Sequence, residues 1–169
     1  MPERPLENLT FRNLVMRIIG YEPVEQQLKP RGVHGMPPAP RELDYASAPA
    51  ALIFANVRDL RVRDIQVIWD AVSGSPSRHA VYAAAIEELF LAGFSGGQPG
   101  SKFAAIGLDA VRRAFISESR ADSGTAVFVG LRDMPPDQVI LTGNDLREAR
   151  PVAAGSTYIH IAKSPSARR

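Results

Sequence analysis

One cadence recurs through this chain and limits what it can fold into. An apolar-x-apolar-x-x-apolar motif occurs as Leu9-Thr10-Phe11-Arg12-Asn13-Leu14 and again as Leu60-Arg61-Val62-Arg63-Asp64-Ile65. It returns as Leu89-Phe90-Leu91-Ala92-Gly93-Phe94, then more weakly from Ala114 to Ser119 and from Val139 to Asn144. The starts fall at 9, 60, 89, 114 and 139, giving steps of 51, 29, 25 and 25. A companion strand keeps phase: Leu52, Val81 and Ile106 lie eight residues ahead of their motifs, and Phe54, Ala83 and Leu108 six ahead. Val57, Ile86 and Val111 lie three ahead. Period-2 alternation over four or five residues, broken by polar corners, is the mark of short strands.

A unit of about 25 residues cannot bury its apolar face alone, so successive copies must cover one another. The expected fold is all-β, a parallel β-helix, in which each strand pairs with its counterpart one turn later. An antiparallel sandwich also has short strands at regular spacing, but phase-locked recurrence of two strands favours stacked coils. Two inward ladders are expected: Leu60, Leu89, Ala114, Val139, and Val62, Leu91, Ile116, Leu141. Motif position two points outward and carries Thr10, Arg61, Phe90, Phe115 and Ile140. Three consecutive apolar residues there require a covering segment or a partner.

The 169 residues suit one domain, read as 1–163, with a Pro-rich loop insertion at 19–50 and a disordered basic tail at 164–169. Six prolines punctuate that loop, from Pro23 to Pro49, so neither a helix nor a central strand fits it. Turns are expected at 71–78 and 93–101, and an insertion at 130–137 displaces the first strand of the last full rung to 126–129. Strand material begins almost at the N-terminus, and the expectation is a truncated start whose open end takes preceding coils or self-associates.

Formal charge is only +2, with three of the 20 cations in the last seven residues, so no basic stripe argues for nucleic acid. No apolar run spans a membrane, and no secretory signal is visible. The chain as given is therefore expected in the cytoplasm, or exported if it is the tail of a longer secreted enzyme. With no cysteine, thiolate metal sites and disulfides are excluded. His34, His79 and His160 show no ligand spacing and read as surface or loop residues, so neither metal nor cofactor is expected.

The segments ENLTFRNL, DYASAPAALIFANVRDLRVRDIQVIW and VILTGNDLREA resemble the C-terminal turns of bacterial polygalacturonase-like (pectin-degrading) glycoside hydrolases, over roughly residues 6–152. The resemblance implies a right-handed parallel β-helix of the pectin-lyase-like kind, here about five to six coils, acting on acidic polysaccharide. That family's catalytic signature is an Asn-Thr-Asp segment, an Asp-Asp pair, a Gly-His-Gly and an Arg-x-Lys. None is present; Gly32-Val33-His34-Gly35 and Asn144-Asp145 are the nearest approaches. The acids near rungs, including Asp59, Asp64, Asp109 and Glu118, read as solvated corners. The expected function is thus a β-helix section of a polysaccharide-acting protein with no catalytic residues of its own; a non-catalytic polysaccharide-binding module or a structural assembly piece is the alternative. Candidate substrate contacts are Trp69 and Tyr45, as flat apolar platforms, and Arg58, Arg61 and Arg63, as partners for uronate carboxylates.

Overall fold

A computed structural model describes residues 5–18, 50–70, 79–98 and 103–149. These residues are all-β, apart from one 3-10 turn at Pro136–Gln138. Nine strands form a single sheet in which every pairing is parallel, and the strands curl into a half-barrel. The long strands are β1 (Leu9–Ile18), β2 (Ala50–Trp69) and β3 (His79–Ala92). The shorter ones are β4 (Ser95–Gly96), β5 (Ile106–Asp109), β6 (Arg113–Ser117), β7 (Arg120–Ala121), β8 (Val129–Arg132) and β9 (Val139–Thr142).

The register follows the repeat. Leu9 pairs with Leu60, Leu60 with Leu89, Leu89 with Ala114 and Ala114 with Val139. Two residues on, Phe11, Val62, Leu91, Ile116 and Leu141 form the second ladder. The companion ladders are Leu52, Val81, Ile106, Val129 and Phe54, Ala83, Leu108, Leu131. Apart from Phe11, which is exposed, these columns form the core with Val57, Ile86 and Val111. Each large aliphatic side chain taken out of water there contributes roughly 1.5–3 kcal/mol.

Corners are made by left-handed residues. Motif position five carries Asn13, Asp64, Gly93, Glu118 and Gly143, all with φ between 51° and 69°. A second column, Asn56, Ala85, Ala110 and Asp133, has φ of 51° to 56°. One such residue turns the chain between two extended segments without ending the ladder, so 50–69 forms one bent strand instead of separate short ones. Glycine adopts this conformation without strain at 93, where a Cβ would also lie 2.6 Å from Asp64 Oδ1.

The two weak motif copies have a physical explanation. Their last positions, Ser119 and Asn144, follow Ile65 and Phe94 in the same column. Asn144 accepts from the Ser119 N–H (2.9 Å) and donates to the Ile116 carbonyl (3.0 Å), while Ser119 Oγ accepts from the Phe94 N–H (3.1 Å). Apolar filling gives way to side-chain capping of the neighbouring rung's backbone.

Two expectations need correction. The first strand of the last rung is Val129–Arg132, not 126–129, because the rung-to-rung step is 23 residues at Leu108–Leu131 and 25 at Ala114–Val139. The extra residues lie between them, around the 3-10 turn. Part of the 93–101 corner is also strand, since Ser95 and Gly96 pair with Gln66 and Val67. The Pro-rich insertion, apart from Ala50, and the basic tail lie outside the described residues.

Candidate functional site

The outward side chains of β1, β2, β3, β6 and β9 make one continuous face. Its rows are Thr10 and Arg12; Asp59, Arg61 and Arg63; Glu88, Phe90 and Ala92; Arg113, Phe115 and Ser117; and Ile140 and Thr142. Phe90 and Phe115 stack with centroids 4.9 Å apart and planes 5° from parallel, and the Arg61 guanidinium lies 4.8 Å above Phe90. The apolar stripe is thus partly covered by its own rings and by Arg61: both rings are half-buried, while Ile140 at its end remains 48% exposed.

The candidate arginines divide by what they touch. Arg58 bridges Glu7 at 2.5 Å and Glu87 at 3.5 Å, in a column where acid and base alternate. Arg61 pairs with Asp59 at 3.3 Å as well as covering Phe90. Glu88 is held by Arg113 at 3.0 Å. Arg63 differs. It stands in direct register with Arg12, both are exposed, and neither has a carboxylate partner among the described residues. Two guanidinium groups one strand spacing apart repel, so this pair is a ready acceptor for an anion. Position 12 was not singled out from sequence; the signal was its place in the motif copy one step before Arg63.

Trp69 is not brought to this face. It ends β2, is half-buried against the core, and donates its indole N–H to the Gly97 carbonyl at 2.8 Å. Tyr45, His34 and His160 lie outside the described residues.

A second polar cluster was missed from sequence. Asp109 and Arg132 are register partners on β5 and β8, and the Asp109 carboxylate accepts from both Arg132 and the Tyr82 hydroxyl. Asp109 is buried, so it is no solvated corner. His79 is buried as well, contrary to its reading as a surface residue. Its Nδ1–H donates to the Ala104 carbonyl at 2.7 Å, and its ring stacks on Tyr82 and meets Phe103 edge-on. Gly107 provides the floor: a Cβ there would lie 2.8 Å from His79 Nε2.

Burial lowers the pKa of His79, and the nearby Arg132 charge adds to this against the hydrogen bond to Ala104. Burial, then the bond to Asp109 and its charge, push Tyr82 up to about 12. For Asp109, burial favours the neutral acid, but the bonds from Arg132 and Tyr82 outweigh it and its pKa falls below the ordinary value. The cluster has its donors and acceptors matched within itself, as structural networks do.

Among the described residues no three His, Cys, Asp or Glu side chains group as a metal site, and no helix is long and apolar enough to cross a membrane. No family model matches this chain, and neither a curated protein nor a solved structure is found to be similar to it.

Proposed function

We propose that this chain is a section of a right-handed parallel β-helix of the polygalacturonase-like kind, of about five to six coils. Its outward face binds an acidic, uronate-bearing polysaccharide and performs no hydrolysis. The observation that carries this is the Arg12–Arg63 register pair, exposed and without carboxylate partners among the described residues. Guanidinium forks match carboxylate geometry, and a regularly spaced polyanion relieves the repulsion between them. The strand surface beside the pair, Ala92, Ser117 and Thr142, carries small side chains over which an extended chain can lie. Asp59 and Glu88, acids of this face, are already engaged by Arg61 and Arg113, which supports binding over acid–base chemistry.

Titration calorimetry with oligogalacturonate tests it. Binding is expected to weaken with added salt and to fall roughly tenfold or more on changing Arg12 and Arg63 together to Ala, at about 1.4 kcal/mol per tenfold. Arg58→Ala, which touches only its own ion pairs, is the control. Equal loss in the control, or no binding by the parent chain, overturns the reading. New reducing ends released by purified chain would overturn the absence of hydrolysis.

A further inference from the structure

The first strand leaves the core columns uncovered. Leu6 bridges to Val57 and Phe11 pairs with Val62; Val57 and Val62 are 2% and 0% exposed, whereas Leu6 and Phe11 are 57% and 39% exposed. Leu9 and Leu14, which pair with the buried Leu60 and Ile65, are only half-buried. Apolar side chains that belong to the core thus form the end of the stack, beside an outer strand edge with no pairing among the described residues. Free edges of this kind invite another strand.

The spacing of these residues says which strand fits. Inward positions 6, 9, 11 and 14 are symmetric about Thr10, at four and one residues on either side. The left-handed Asn8 and Asn13, with φ of 55° and 56°, bend the strand two residues before and three residues after that centre, so the bends of the two copies lie one residue apart. An antiparallel copy of the same strand, related by a two-fold axis through Thr10, therefore sets Leu6 opposite Leu14 and Leu9 opposite Phe11. Within residues 6–14 every inward apolar residue meets another; Met16, which pairs with the buried Val67, lies beyond this overlap. The charged residues also agree: Arg12 falls opposite Asn8, and Glu7 opposite Asn13, with no like charges facing. Head-to-tail stacking of β9 on β1 is poorer, because in register it places Asp137 on Glu7 and Asn144 on Leu14.

We infer that the open end is a homodimer interface, in which residues 6–14 pair antiparallel with the same residues of a second copy about Thr10. The pairing closes on itself, as isologous contacts do, and covers the strand edge from Leu6 to Leu14. It is independent of the polysaccharide reading, since no ligand is needed.

The chain contains no cysteine, which makes a single introduced thiol decisive. Residues directly opposite in an antiparallel pair have Cα atoms about 4.5–5.5 Å apart, within disulfide reach. Thr10→Cys is expected to oxidise to a covalent dimer, and Ile140→Cys is not. Light scattering of the parent chain should give twice 18.3 kDa at micromolar concentration. Leu6→Asp, whose side chain is mostly in water already, should return the mass to one chain with the circular dichroism unchanged. A single-chain mass at all concentrations overturns the inference. So does a mixed disulfide between Thr10→Cys and Ile140→Cys chains in place of the Thr10 homodimer, the signature of head-to-tail stacking.

Discussion

Phe90 and Phe115, 25 residues apart in sequence, lie face to face across adjacent parallel strands with their rings 4.9 Å apart and 5° from parallel. The contact explains how three consecutive outward positions carry large apolar side chains. Each ring covers part of the next, and Arg61 covers the first. Such stacking adds about 0.5–1.5 kcal/mol beyond the area buried.

Phe90→Ala and Phe115→Ala are each expected to cost about 2 kcal/mol, below the roughly 3–5 kcal/mol typical of fully buried Phe. Their coupling in a double-mutant cycle should be about 1 kcal/mol. Urea unfolding of the two single variants and the double variant measures both. Purely additive losses would mean that the stack adds nothing beyond area.

The left-handed corners give changes of opposite sign. Ala85 and Ala110 hold φ of 51°, a conformation costing an L-residue with a Cβ about 1–2 kcal/mol. Ala85→Gly and Ala110→Gly should therefore stabilise, by up to about 1 kcal/mol after the added flexibility of the unfolded chain is subtracted. Gly93→Ala should destabilise by more than that, since its Cβ would also meet Asp64 at 2.6 Å. Thermal melts of the three variants compare the signs.

Asn144→Ala removes a donor and an acceptor that hold the Ile116 carbonyl and the Ser119 amide. The expected loss is about 1–3 kcal/mol. Hydrogen exchange should show the Ser119 amide becoming labile before the amides of β2. Unchanged protection at Ser119 would show that the side chain is dispensable to the rung.

The His79, Tyr82 and Asp109 cluster sets a pH window. The folded pKa of His79 is depressed, so the unfolded chain takes up its proton first, and stability falls as pH drops below about 6.5. Asp109, also lowered in the fold, contributes above its unfolded value near 3.9 and loses its contribution as pH falls through the folded one. Tyr82 is raised, so stability is lost as pH climbs from about 10, where the unfolded phenol ionises, towards about 12. A broad maximum between neutrality and about pH 10 follows. Denaturant midpoints of Tyr82→Phe should flatten the alkaline limb and those of His79→Gln the limb near pH 6. Unaltered limbs in both variants would remove the cluster from the titration.

Repetition made the ladders legible from sequence. Because parallel strands pair with their own counterparts one step later, a phase of 51, 29, 25 and 25 residues already states that Leu9, Leu60, Leu89, Ala114 and Val139 share a column. Corners such as Asp64 and Gly93 were legible as polar or Gly positions between alternating runs, whereas Ala85 and Ala110 carry no such mark. What tertiary structure alone decided was which side chains meet where the phase slips or the column ends. Two residues added before Val139 put Arg132, and not Met134, beside Asp109, so the acid read as a solvated corner is a buried carboxylate paired with an exposed arginine. Nor could sequence alone separate the arginines. Arg58, Arg61 and Arg63 look alike along the chain, yet only for Arg63 does the neighbouring rung offer another cation, Arg12, in place of an acid or a ring. Apolar alternation fixes a strand's inward face through a local, periodic cost of exposure. Partnership between outward side chains depends on distances across strands, and those exist only once the strands are stacked.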